Sequence, residues 1–155
     1  MIGDIESSMR DEDDMPGSKI NPIGNKETLT GNRESLTGNR ENPLKDKSYK
    51  FALRIVKLCR HLRDDKKEFI LSKQVMRSGT SIGANIAEGN QAQSKPDFIH
   101  KLSISHKESF ETDYWLSLLR DSDYITEKQA DSLLTDCREL QKMLTTSIKT
   151  AKANL

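Results

Sequence analysis

Aromatic side chains are scarce in this sequence: one tryptophan, three tyrosines and four phenylalanines in 155 residues. With hydrophobic residues at 34%, that leaves material for one modest core and excludes a large multi-domain body. No apolar run approaches the roughly 18 residues of a membrane helix, so no membrane partner is expected. The first residues lack a basic stretch followed by an apolar one, so no export leader is expected either. Cysteine is limited to Cys59 and Cys137 with no Cys-x-x-Cys, which reads as two reduced core thiols in a cytoplasmic protein.

Catalytic patterns are missing too. A di-metal site in a helical bundle needs Glu-x-x-His pairs, and the sequence contains none. His61, His100 and His106 show no ligand spacing. Gly79 and Gly83 are not followed by Lys-Ser or Lys-Thr, so no phosphate loop of the nucleotide-binding kind is present. Ser78, Ser81, Ser105 and Ser109 lack a Ser-x-x-Lys or nucleophile-elbow context. We therefore expect no catalytic residue, metal or cofactor, and a non-enzymatic protein.

What is present is charge and helical periodicity. Charged residues make up 32% of the chain, yet the net charge is only +1. Residues 1–44 carry 5 Lys+Arg and 9 Asp+Glu (net −4), whereas residues 45–155 carry 20 and 15 (net +5). The second part is mildly basic, which permits a nucleic-acid partner without requiring one. Residues 1–42 have few apolar and no aromatic residues, and a seven-residue unit beginning Gly-Asn repeats at Gly24, Gly31 and Gly38. One large apolar residue per unit (Leu29, Leu36) cannot sustain a coiled coil, so a disordered low-complexity extension is expected.

Residues 43–155 read as an all-α domain. Asn42 and Pro43 open a helix whose buried stripe is Phe51, Ala52, Ile55, Val56, Cys59 and Leu62, ending at Asp64-Asp65. Asp65 with Glu68 reads as a capping box for a second helix, about Lys66 to Glu88, stopped by Gly89-Asn90. Ser94, Pro96 and Asp97 start a third, to about Asp121, with the seam Phe98, Leu102, Ser105, Ser109, Thr112, Leu116 and Leu119. Thr126 and Gln129 cap a fourth, carrying Ala130, Leu133, Leu134, Cys137, Leu140, Leu144, Ile148 and Ala151. Four such helices with short connections predict an antiparallel up-down-up-down four-helix bundle.

The most unusual stretch is Arg77 to Gly89, RSGTSIGANIAEG. Two glycines inside a helix cost about 1 kcal/mol each relative to alanine, which close approach of a neighbouring helix would offset. Arg77, Ser81, Asn85 and Glu88 form a polar row beside it. Arg77 or Asn85 is expected to pair with Glu111 across the bundle, as a register-fixing network rather than a ligand site. Tyr114, Trp115 and Leu118 lie off the third helix's seam and read as an oligomer interface.

Lysines and one arginine supply candidate phosphate contacts. They are Lys50, Arg54 and Lys57 on the first helix, Lys66, Lys67 and Lys73 at the start of the second, and Lys142, Lys149 and Lys152 on the fourth. The plainer alternative is an ordinary solvated face. No aromatic stacking platform is evident beside them, which points to backbone-level rather than base-specific contact.

Three ordered blocks carry a family resemblance. They are Arg77 to Gly89; Ser94, Asp97, Phe98, Ile99, Lys101 and Leu102; and Lys107, Glu108, Glu111, Thr112, Tyr114, Trp115, Leu116, Leu118 and Leu119. Together residues 43–155 resemble the four-helix bundle proteins encoded by intervening sequences in bacterial large-subunit rRNA genes. That group is related to the basic accessory protein of diversity-generating retroelements. The resemblance implies a closed ring of five bundles and a partner that is RNA or DNA. A protein-interaction adaptor with no nucleic-acid role is the competing expectation.

Overall fold

The computed structural model describes residues 41–155. The expected extension and its repeats lie outside the described residues, except that Asn42 belongs to the bundle. Its side chain accepts from the Lys45 N–H and caps α1 (Pro43–Asp64). Then follow α2 (Leu71–Gly89), α3 (Lys95–Asp121) and α4 (Glu127–Ala153), with no strand among the described residues.

Local chemistry explains most of the boundaries. At α3, Ser94 Oγ accepts from the Asp97 N–H, and the early proline falls where a missing donor does no harm. At α4, Thr126 and Gln129 form both bonds of a capping box. The start of α2 differs from expectation. Helix α2 begins at Leu71, not near Lys66, because the chain turns through Lys67 at φ 53°. Glu68 is not the third residue of a box opened by Asp65. Its carboxylate instead accepts from the Ile70, Leu71 and Ser72 N–H groups at 2.7–2.9 Å and caps α2 itself. Helix α2 ends at Gly89 with Asn90 as its C-cap, where the stop is expected, but without a left-handed glycine, since no described glycine has positive φ. Gly89 is there for space: a Cβ on it would lie 3.3 Å from Lys101 Cβ.

Cross-helix contacts give the packing order. Along α3 from Lys101 through Ser105 to Thr112, the partners on α2 descend from Glu88 through Ile82 to Ser78. Those two helices are therefore antiparallel. The same descent relates α3 to α4, from His106 with Thr145 to Asp113 with Arg138. It also relates α1 to α2, where Ser48 faces Gly83 and Cys59 faces Ser72. Helices α1 and α4 meet through Lys47–Glu139 and Arg54–Asp136. Contacts thus join α1 to α2, α2 to α3, α3 to α4 and α4 to α1, which places α1 diagonally across from α3.

The core is the sum of four stripes. Phe51, Ile55, Leu58 and Leu62 meet Val75, Ile82 and Ile86, then Leu102, Leu116 and Leu119, and Leu133, Leu134, Leu140 and Leu144. Each such side chain contributes about 1.5–3 kcal/mol by leaving water. The middle of the α2–α3 seam is polar instead. Ser105 Oγ donates to Ile82 O at 2.8 Å, and Thr112 Oγ1 reaches Ser78 Oγ at 3.0 Å. Small hydroxyls there let two backbones come close while satisfying their own polarity.

Candidate nucleic-acid interface

The stretch from Arg77 to Gly89 divides into two faces. Ser78, Gly79, Ile82 and Ile86 are buried against the core. Thr80, Gly83, Ala84 and Ala87 face the other way and, with Tyr49, line a groove of about 660 Å³ between α1 and α2. The small residues therefore do both things: they admit Ile55 on the inside and leave a shallow apolar channel on the outside.

The expected pairing of Arg77 or Asn85 with Glu111 does not form. The Asn85 amide donates to Ser81 O one turn earlier, at 2.8 Å. Glu111 accepts from Trp115 Nε1 at 3.2 Å on its own helix. Arg77 is exposed. The cross-helix ion pair of this flank is Glu88 with Lys101, at 2.7 Å. With these groups at the surface, none needs a buried counter-charge. Nearby, burial and then the Glu111 charge push the Glu108 carboxyl above its usual range.

Partners also redistribute the basic candidates. Arg54 is half-buried and tied to α4, donating to Asp136 Oδ2 at 2.6 Å and Ser132 Oγ at 2.7 Å. It joins α1 to α4 rather than presenting a free charge, and Lys57 beside it is half-buried. Lys50 is exposed at the edge of the α1–α2 groove. Lys66 and Lys67 sit in the α1–α2 connection rather than in a helix, and Lys73 lies exposed in the first turn of α2. Lys142, Lys149 and Lys152 are exposed on α4. Lys149 and Lys152 are near the other end of the bundle, where Met143 and Ser147 of α4 adjoin Asn42 and Pro43. The nine candidates are thus separate groups, not one patch.

The group on α4 is the most coherent. Lys142, Thr145, Lys149 and Lys152 follow a 3, 4, 3 spacing and form one stripe. Residues 140–155 contain no acid, and neither do residues 98–107 of α3. The two acid-free segments come together where Thr145 Oγ1 and His106 Nε2 are 3.0 Å apart. There a depression of about 390 Å³ is lined by Ser103, His106, Thr145, Ile148, Lys149 and Lys152. The Phe110 ring meets the His106 ring edge-on at 5.0 Å, outside the residues that line the depression. Phe110 lies off the α3 seam and is exposed.

The expected interface residues remain at the surface. Tyr114 is exposed, and Trp115 and Leu118 are half-buried, with the Tyr114 and Trp115 rings edge-on at 5.0 Å. On the diagonal helix α1, Tyr49 and Leu53 are exposed as well. Both cysteines are free and buried, and burial pushes each thiol up to about 12. Among the described residues, no group of three or more His, Cys, Asp or Glu is arranged to hold a metal. No helix among them is long and apolar enough to cross a membrane.

Residues 40–146 match the family described as 23S rRNA-intervening sequence protein. The chain belongs to that family. A crystal structure from Bacteroides thetaiotaomicron, of a protein with unknown function from the S23 ribosomal protein family, is 55% identical to it. That likeness covers 68% of this chain and 98% of the other, with a TM-score of 0.68. Comparison with curated proteins finds no match. The match to the intervening-sequence family ends at residue 146, so Ile148, Lys149 and Lys152 of the depression's α4 side lie beyond it.

Proposed function

We propose that this chain is a non-enzymatic, self-assembling bundle of the cytoplasm that binds nucleic acid, RNA in particular, by its phosphates and without sequence preference. The observation that carries this reading is the acid-free face between α3 and α4, with Lys142, Lys149 and Lys152 exposed along it. Glu139 stands one turn before Lys142, whereas the segment holding Lys149 and Lys152 has no acidic side chain; lysines so placed attract a polyanion and release its counter-ions on contact. The family's own description, which refers to sequences interrupting 23S rRNA, favours RNA.

Self-assembly rests on the diagonal placement of α1 and α3. Tyr49 and Leu53 on one side, and Tyr114, Trp115 and Leu118 on the other, are different apolar surfaces pointing away from each other. Such a pair suits head-to-tail association, which closes into a ring when the rotation permits. The family resemblance sets the expected number at five. A ring would repeat each lysine face and raise a modest affinity by multivalency.

The test is binding of the full chain to a labelled structured RNA and a matched DNA duplex across a salt series. Affinity should fall steeply between roughly 50 and 200 mM salt, and Lys142, Lys149 and Lys152→Glu together should remove most of it. Native mass should read five copies, and Leu118→Asp should lower it. Undetectable binding to both nucleic acids would move the reading to a protein-interaction adaptor. That alternative is favoured by the apolar α1–α2 groove.

A further inference from the structure

We infer that the α1–α2 groove is the seat for α3 of a second copy, whose Tyr114, Trp115 and Leu118 enter it while its Glu111 meets Lys50 at the rim. This rests on the self-association reading above and adds what that reading leaves open: which surfaces meet, and in what sense. The groove is built from small residues on two helices, Ala52 on α1 and Thr80, Gly83, Ala84 and Ala87 on α2, and measures about 660 Å³. From Thr80 to Ala87 it follows two turns of α2, about 10 Å at 1.5 Å per residue. From Glu111 to Leu118 the ridge follows the same two turns along α3. Channel and ridge match in length, and one lacks the side chains that the other exposes.

The ridge is shaped before any contact. Tyr114 is 60% exposed, and Phe110 one turn before it is exposed too, although large apolar rings normally sit in a core. Trp115 is held by its Nε1 bond to Glu111 and by the edge-on Tyr114 ring. Anchors fixed in this way lose little freedom on docking.

Charge selects a copy of this chain as the occupant. The groove's rim carries Lys45, Asp46 and Lys50 (two cations, one anion; net +1). The ridge and its margin carry Lys107, Glu108 and Glu111 (one cation, two anions; net −1). Glu88 and Asp113 on either side are already paired, with Lys101 and Arg138. Glu108 and Glu111 feel each other's charge instead, offset in part by Lys107 and Arg77. A lysine from another copy relieves that repulsion. Because α1 lies diagonally across from α3, no copy can seat its own ridge, and the contact is head-to-tail. Filling the groove in this way also removes the feature that favours the adaptor reading.

The experiment follows native mass by sedimentation of the full chain. Ala84→Arg blocks the groove and Tyr114→Asp spoils the ridge; both residues are exposed, so each variant should keep its helicity. Ala87→Arg, equally exposed, repeats the groove block should Ala84→Arg lose helicity. Each variant alone should sediment as a monomer. An equimolar mixture of Ala84→Arg and Tyr114→Asp should form a dimer and nothing larger, since only the intact ridge of the first fits the intact groove of the second. Lys50→Glu should weaken association roughly tenfold, and Glu111→Lys in the same chain should restore it. Undiminished assembly in either a groove or the ridge variant alone would mean a two-fold contact or another occupant, and overturns the inference. A mixture that stays monomeric overturns it too, as does a charge reversal that is not restored. If the unaltered chain is itself a monomer, the self-association reading fails, and this inference with it.

Discussion

Gly79 and Ile55 share a space with room for only one of them to carry a side chain. A Cβ built on Gly79 would stand 2.8 Å from Ile55 Cγ1 and 2.9 Å from Cγ2, closer than real Cβ contacts come. Ile55 is fully buried, so it cannot swing away. The α1–α2 distance is therefore set by the absence of a side chain at 79.

Gly79→Ala should accordingly destabilise the protein, although alanine favours a helix by about 1 kcal/mol. Overpacking a filled core costs about 1–3 kcal/mol, which outweighs that gain. Gly83 provides the internal comparison, since its Cβ would meet Ser48 Oγ at 3.3 Å, beside the outer groove. Gly83→Ala should be close to neutral. Urea unfolding of the full chain measures both, and equal midpoints for the two variants would contradict the steric account.

Glu68 carries the start of α2. Burial works against its ionisation, but the N–H groups of Leu71, Ser72 and Ile70, all donating to it, outweigh that and pull the carboxyl below its usual range. A lowered folded-state pKa means stability that is fully present above the unfolded value. That part is lost as pH falls through the folded one. The loss therefore falls below pH 4.5, the ordinary glutamate value. Glu68→Ala should cost about 1–2 kcal/mol at neutral pH, the usual range for a helix cap. It should also flatten the acid limb of the stability profile; an unchanged acid limb would mean the cap contributes nothing.

Cys59 and Cys137 should be silent to thiol reagents in the folded protein. Each is buried and donates to a backbone carbonyl, Cys59 to Ser72 at 3.3 Å and Cys137 to Ser109 at 3.2 Å. With both thiols pushed up to about 12 by burial, almost no thiolate exists at neutral pH. A disulfide-exchange reagent should therefore titrate none until denaturant is added, then two. Rapid labelling of either in native buffer would show that its helix opens locally.

How much of this was legible beforehand depends on where the deciding partner lies. The start of α3 was readable because Ser94, Pro96 and Asp97 act within the first turn. The start of α2 was not, because Asp65 and Glu68 have the spacing of a capping box while the turn at Lys67 removes its geometry. Spacing also placed Arg54 on a basic row. Its partner Asp136 is 82 residues away, and only tertiary packing supplies it. Periodicity identifies a face, whereas the face's occupant comes from another helix.

The polar centre of the α2–α3 seam gives the sharpest energetic prediction. Thr112 Oγ1 lies 3.0 Å from Ser78 Oγ and also donates to Glu108 O at 2.8 Å, with both side chains fully buried. Thr112→Val keeps the shape but leaves the Ser78 hydroxyl facing a methyl group. An orphaned buried hydroxyl costs about 1–3 kcal/mol, so the single variant should be clearly less stable. Ser78→Ala added to it removes the stranded group, and the double variant should recover most of the loss. If the effects of the two substitutions simply add in a double-mutant cycle, the hydroxyls are uncoupled. The seam would then be held by backbone proximity alone, with Ser105 to Ile82 O as its remaining cross-helix hydroxyl bond.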